Sequence, residues 1–489
     1  MVDESDVKKP LLPRTLPRWW RVLPPLVLIM IIATIDSLIL NDFIEYRYTN
    51  YYELNSSSTQ NKHELCINAS RISHNSTPSI STTTSKYPIS TTKSSNEIIQ
   101  ESAARLNVFL SLAATVPAIL TSIFLGANCD RIGRKPLIAF PFIGKSMRYF
   151  ILTAVAYYNL PDIWIILSTV FDGLFGTAGL SIISSFAYVT DCTNEKLRTS
   201  SIIITEVCIG CSRFLPLITM GIYLQHPRYV QSIMFTLLLS LSGLVFCIFL
   251  QPESNLNVQH LNIFQQLKKS EFRAITKGFQ VFFVKRQEHK QRSLLILVTI
   301  HLLLIFMICG HISMYYLYLY GVPFCFDSFS VSVNSSVQTA ATILLTIPFA
   351  LFIAKRTDHL VLPGLGCLAF MTQLVLFGVA RQNWILYLAV GIGGMFYVLT
   401  PIIRSRITKL VESDEYAAVF ILATIVETGG YYAISALTNE IYQVSLTFDQ
   451  GLVFFCIALI GAIAIILMSI LHVLEYRPSE MKKASSLNE

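Results

Sequence analysis

An ionisable side chain in the middle of a membrane-spanning helix costs about 2.5–3.5 kcal/mol on insertion scales, so each one retained there is a candidate for chemistry. In this chain the apolar runs retain Asp36, Asp42, Lys145, Arg148, Asp172, Glu206, Arg213, His301, His311, Arg404 and Glu427. Glu206 and Arg213 are 7 positions apart, two turns along one helical face, which points both into the same cavity. For any one of these residues the structural alternative is a buried ion pair, and Asp42, Asp172 and Arg404 have the further alternative of reaching an interface. Together, bases that attract an anion and acids that take up a proton suit the coupled movement of an organic anion and protons along one water-filled path. The candidate path is Asp36, Lys145, Arg148, Glu206, Arg213, His311, Arg404 and Glu427. No metal-ligand spacing occurs, no cofactor is implied, and no nucleophile, base and oxyanion donor can be placed together, so the sequence reads poorly as an enzyme. The octet AFPFIGKS, Ala139–Ser146, fits a loose phosphate-loop pattern, yet it lies inside an apolar run stiffened by Pro141 and lacks the required strand and glycine nest.

The elements that must position these residues are transmembrane helices. Hydrophobic residues make up 53% of the 489 and charged residues 14%, against about 45–50% and about 25% in soluble domains. About twelve apolar runs are long enough to cross a bilayer, centred near Ile32, Leu112, Leu152, Ser181, Val207, Leu239, Leu304, Ile343, Phe370, Gly391, Thr424 and Leu459. The fold class is therefore an all-α membrane protein with twelve transmembrane helices in two six-helix bundles. Lys and Arg gather in the N-terminal tail, at Arg131, at Lys196 and Arg198, between Lys268 and Arg292, at Lys355 and Arg356, from Arg404 to Lys409 and in the C-terminal tail. With both termini inside, every one of these places is cytoplasmic. The net charge of +7 is then an orientation and lipid signal that needs no nucleic acid. The first run is too long for a signal-peptide core and lacks a cleavage site, so it is expected to remain as an anchor.

We expect a cytoplasmic tail at 1–21, a six-helix bundle at 22–250 with an external loop at 45–100, a basic, amphipathic cytoplasmic loop at 251–292, a second bundle at 293–474 and a cytoplasmic tail at 475–489. Two bundles imply two repeats packed about an axis normal to the membrane. The external loop is rich in Ser, Thr and Asn and carries glycosylation sequons at Asn55, Asn68 and Asn75, while the sequon at Asn334 stands too near a span for modification. Of the 10 cysteines only Cys66 and Cys325 fall outside the spans on the external side, facing an oxidising compartment. A bridge between them would join the first loop of one half to a short loop of the other.

One short turn is more specific than any composition argument. GANCDRIGRK, from Gly126 to Lys135, separates the second and third runs and carries one acid, Asp130, among Arg131, Arg134 and Lys135. It resembles the signature of the major facilitator superfamily of secondary transporters, with Gly126, Asp130, Arg131, Gly133 and Arg134 as a cytoplasmic gate. Further stretches resemble solute carrier family 46, which includes the proton-coupled folate transporter and the thymic stromal cotransporter. These are SFAYVTDCTNEKLRTSSIIITEVCIG from Ser185, VPFCF from Val322 and TPIIRSRITKLVESDEYAAVF from Thr400.

That resemblance implies the major facilitator fold, a glycosylated first external loop, a Cys66–Cys325 disulfide and proton-coupled uptake of an organic anion. The substrate classes it spans are folates, steroid conjugates, muropeptides and cyclic dinucleotides. Glu206 matches the family's fifth-helix glutamate and Arg404 its tenth-helix arginine, linked there to proton coupling and substrate binding. His311 lies a turn closer to VPFCF than the family histidine, and Lys145, Arg148, Arg213 and Glu427 depart from the folate branch. The expected partners are a small organic anion, protons and the lipid bilayer; the oligomeric state is open, with a monomer sufficient. The alternative is a transporter-like sensor or scaffold that binds its ligand without moving it. Near the N-terminus DVKKPLL, Asp6–Leu12, approaches an acidic dileucine signal with the acid one residue too far away, so the plasma membrane is the first expectation and the endolysosomal membrane the second.

Overall fold

A computed structural model of the chain describes residues 17–55, 95–193, 195–255, 265, 288–352, 361–394, 396, 403, 406–407, 410, 416–446 and 448–486. Within its helices the side chains of 52–55, 95–97, 127, 130, 195–196, 198–200, 202–203, 206, 288–289, 346–352, 361–362, 416–429 and 475–486 are not described. Helices follow one another in the order expected for a chain that must satisfy its backbone internally in lipid. They are α1 Leu23–Asn55, α2 Ser95–Ala127, α3 Arg134–Tyr158, a two-part α4 (Ile163–Leu174 and Thr177–Asp191), α5 Glu195–Leu224 and α6 Tyr229–Phe249. The second set is α7 Glu288–Tyr320, α8 Ser328–Phe352, α9 Val361–Val379, α10 Asn383–Gly393, α11 Tyr416–Ser445 and α12 Leu452–Ser486. Over the described residues, 8 spans are long and apolar enough to cross a membrane.

Two kinds of surface explain the sequence pattern. Phe109, Leu112, Val116 and Leu120 of α2, and Leu459, Ile463, Ile466 and Ile470 of α12, form outward apolar stripes suited to lipid. Inward-facing hydroxyls instead return a hydrogen bond to the carbonyl four residues earlier, as Thr34 does to Met30, Ser184 to Leu180 and Thr438 to Ile434. A hydroxyl can thus sit among helices at little cost.

Between the first six and the last six helices, α2 packs along α11 and α5 along α8. A twofold relation that maps α1 onto α7 exchanges these two seams, the outcome expected of an internal repeat. Hydrogen bonds join the halves at the end remote from the Gly126 turn. Tyr442 donates to Gln100 Oε1 at 3.1 Å, Gln443 to Glu101 Oε1 at 3.4 Å, and the Ser111 and Ser435 hydroxyls meet at 2.9 Å. Asn439 and Ser313 extend this network into α7, with Asn439 Nδ2 donating to Ser313 Oγ at 2.8 Å and Ser313 and Ser435 in contact at 2.7 Å. That end is the one the charge rule leads us to expect outside the membrane.

Candidate functional site

Four charged side chains from three helices meet among the first six spans. Lys145 Nζ donates to Asp36 Oδ2 at 2.9 Å and to Asp172 Oδ2 at 2.8 Å. One helical turn on, Arg148 Nη1 donates to Asp172 Oδ2 at 3.0 Å, and Nη2 lies 3.3 Å from Asp36 Oδ1. All four are buried. Lys145 and Arg148 are neighbours on α3 because a spacing of three places them on one face. The partner acids come from α1 and α4, and their two charges balance the two bases. A lone charge at this depth would be prohibitive, whereas a hydrogen-bonded, neutral set is tolerated.

The two acids are not equivalent. Asp172 receives close bonds from both bases and its side chain is 3% exposed; Asp36 holds Arg148 more loosely and is 12% exposed. A small cavity lined by Asp36, Ile39, Phe43, Tyr149 and Ile233 adjoins it. Asp172, which the sequence allowed to reach an interface, is instead the most enclosed member of the cluster. Hydropathy alone did not reveal its depth, because the run around it is apolar on every side. Asp42, the other acid of α1 with that alternative, is also buried and accepts a hydrogen bond from the Tyr229 hydroxyl at 3.0 Å.

His311 occupies a separate environment, lined by Tyr315, Phe370, Phe377 and Phe454 from α7, α9 and α12. Its Nε2 meets the Gln373 amide at 3.2 Å. All these neighbours belong to the second six helices, so His311 is not brought together with Lys145 and Arg148. Arg213 is half-buried on α5. Glu206 and Glu427 lie on α5 and α11 with their side chains outside the described set, and Arg404 is outside the described residues. His301, on α7, is buried.

The basic turn shows how its residues close one end. Gly133 has φ of 100°, a conformation that favours glycine, and it starts α3 directly behind the short helix Cys129–Ile132. The first amides of α3 are capped by a residue that the sequence did not single out. Arg134 and Lys135 N–H donate to Glu253 Oε1 and Oε2 at 2.8 and 3.0 Å. Arg134 Nε also donates to Asp191 Oδ2 at 2.9 Å. This carboxylate cap joins the start of α3 to the chain beyond α6, while Arg134 holds the end of α4. Gly126 is buried and Arg131 exposed; the Asp130 side chain is outside the described set, as is the basic stretch Lys355–Asp358.

Cys325 is disulfide-bonded, and eight other cysteines among the described residues are free. Cys66, Asn68 and Asn75 lie outside the described residues, and Asn55 ends α1 with its side chain undescribed. Asn334 is fully buried and its amide oxygen accepts a bond from Tyr315, which removes that sequon from modification.

Helices in two sets of six, seams that exchange by a twofold relation, and charges buried within a bundle define a secondary transporter. The Major Facilitator Superfamily profile matches residues 96–435, and the chain belongs to that superfamily. Within it the likeness is to solute carrier family 46. The lysosomal proton-coupled steroid conjugate and bile acid symporter SLC46A3 of Gallus gallus is 24% identical, covering 73% of this chain and 77% of the relative. The proton-coupled folate transporter of Bos taurus is 23% identical over 75% of this chain and 78% of the relative. Among solved structures, the human organic anion transporter MFSD10 superposes with a TM-score of 0.61 at 13% identity, over 92% of this chain and all of that one, and shows the shared fold. The chain is a multi-pass membrane transporter and not an enzyme.

Proposed function

We propose that the chain is a proton-coupled symporter of a small organic anion, working by alternating access. The observation that carries this reading is the neutral cluster of Asp36, Lys145, Arg148 and Asp172. Its bases are occupied by the protein's own carboxylates, so an anion can engage them only if it displaces a carboxylate or if that carboxylate is neutralised. Protonating one acid releases a base for the anion, and an anion at the base raises the affinity of the displaced acid for a proton. Such reciprocity links the two ligands and makes their joint binding more favourable than either alone. The relatives' steroid conjugates, bile acids and folates carry anionic groups of the kind this cluster suits, and they define the first substrates to test.

The family resemblance adds Glu206 as a coupling acid and Arg404 as a substrate base, with Arg213, His311 and Glu427 further along the path. The Gly126, Asp130, Arg131, Gly133 and Arg134 turn is assigned as the cytoplasmic gate, and Cys66 as the partner of Cys325. The experiment is uptake of radiolabelled estrone sulfate and of folate into proteoliposomes with and without an inward proton gradient. Accumulation above the external concentration only with the gradient is expected. Saturable binding with no gradient-driven accumulation would instead identify a ligand sensor.

A further inference from the structure

The polar groups of α8 are of two kinds. Ser332, Ser336, Thr339 and Thr342 return their hydroxyls to carbonyls four residues earlier, at 2.7, 2.7, 2.9 and 2.9 Å, and so satisfy themselves within the helix. Ser335 lies in the same run and is buried, yet its hydroxyl has no hydrogen-bond partner among the described residues. The same holds for Asn334 Nδ2 and Gln338 Nε2, one helical turn apart. Asn334 is fully buried, and its amide is oriented because the Tyr315 hydroxyl of α7 donates to its oxygen, which leaves the nitrogen pointing away from that bond. Three donors within one turn therefore lack acceptors, and an enclosed donor without an acceptor costs stability.

Contacts around α8 show which way these groups face. A helix turns about 100° per residue, so Ser332 and Ala341 lie on opposite sides. Ser332 is against α5 of the first half, where a Cβ on Gly221 would meet its Cβ at 2.3 Å. Ala341 is against Gly394 at the end of α10, where a Cβ would meet the Ala341 carbonyl carbon at 2.7 Å. Val337 and Leu344 share a third side and are 37% and 70% exposed, as suits lipid. Asn334, Ser335 and Gln338 occupy the remaining side, turned inward between α5 and α10 and met by Tyr315 of α7.

We infer that Asn334, Ser335 and Gln338 form a subsite for an uncharged carbonyl oxygen of the substrate, a ketone or amide group remote from its anionic end. This rests on the reading of the chain as an organic-anion carrier and adds the chemistry that the second half recognises. Two amides and a hydroxyl carry no charge, so they select an oxygen acceptor without needing an anion, while the anion has its bases in Lys145 and Arg148 of the first half. A substrate with both features is then held from both halves, by charge on one and by hydrogen bonds on the other, which ties its binding to their approach. Selectivity follows from the same donors, because a ligand without the oxygen leaves them unmet.

The test is equilibrium binding to the purified full chain, with two pairs of probes. One pair is estrone sulfate and the same steroid sulfate without its ketone; the other is folate and aminopterin, in which an amino group replaces the pterin oxo group. In at least one pair the native chain should prefer the oxo ligand by about tenfold. Ser335→Ala and Gln338→Met each remove one unpaired donor and leave the Tyr315 bond to Asn334 in place, so both variants should unfold at or above the native temperature. In each, the preference should fall to about threefold or less. Preference absent from both pairs, or retained in full by either variant because the donors serve only water or packing, overturns the subsite and leaves the anion-carrier reading standing. Binding of none of the four ligands removes that reading and the subsite with it.

Discussion

Lys145 Nζ lies 2.8 Å from Asp172 Oδ2, and with side chains 5% and 3% exposed the two form the most enclosed ion pair among the described residues. The pair is one edge of a neutral four-member set, so its energetics belong to the set. Asp172→Asn would leave Lys145 and Arg148 facing Asp36 alone, and stranding a buried charge costs about 3–5 kcal/mol. Lys145→Met combined with Asp172→Leu leaves Asp36 with Arg148 and restores neutrality. Thermal unfolding of the purified variants should show Asp172→Asn strongly destabilised and the double variant melting near the native chain. Losses that simply add would mean that the two residues act independently.

The seam between α2 and α11 gives a second prediction. Ser111 of α2 and Ser435 of α11 have hydroxyl oxygens 2.9 Å apart, so the two side chains point at each other across the seam and are the pair to replace by cysteines. Ser111→Cys with Ser435→Cys should cross-link under mild oxidation and stop uptake, and a reductant should restore it. Each single variant should be indifferent to oxidant. Full transport by the cross-linked chain would show that this seam does not part during the cycle.

The spans and most of the buried charges could be read from sequence, because both follow from the cost of placing polar groups in lipid. Lys145, Arg148 and Asp36 stood out on that ground. Asp172 stands out less in the sequence, since its importance is tertiary: it matters because α1 and α3 bring charges to it. The stretch FDGLFGT, Phe171–Thr177, carried the two glycines that permit the break, yet its apolar character read as an uninterrupted span. Glu253 likewise looked like one polar residue at the edge of a loop until the start of α3 was seen to need a cap. His311, which the sequence puts on the candidate path, is buried among aromatic rings of the second six helices, apart from the cluster.

Arg404 makes a prediction that rests on residue type. A guanidinium can hold a carboxylate or sulfate through two parallel hydrogen bonds, and an ammonium keeps the charge while losing that fork. In Arg404→Lys, expressed at normal levels, the apparent KM for estrone sulfate should rise by about tenfold, the loss of roughly one charge-assisted bond. Unchanged uptake kinetics would make Arg404 a solvated residue of the cytoplasmic end.

Two acids compete for the coupling role, and their neighbours predict how to tell them apart. Asp36 is the looser and more exposed acid partner of Lys145 and Arg148, which makes it the easier of the cluster's two acids to displace. Glu206 is assigned by the family resemblance and shares a helix with Arg213. Replacing the coupling acid by its amide mimics the protonated state, so substrate binding and exchange should persist while accumulation no longer responds to the proton gradient. Replacing a merely structural acid should lower expression or binding and leave the gradient response of the surviving protein intact. Asp36→Asn and Glu206→Gln are therefore to be compared for counterflow exchange and for gradient-driven uptake over an acid-to-neutral series. The cluster geometry predicts a flattened gradient response in Asp36→Asn. A native response there together with a flat one in Glu206→Gln would move the proton site to α5 and leave Asp36 as a counter-ion to Lys145.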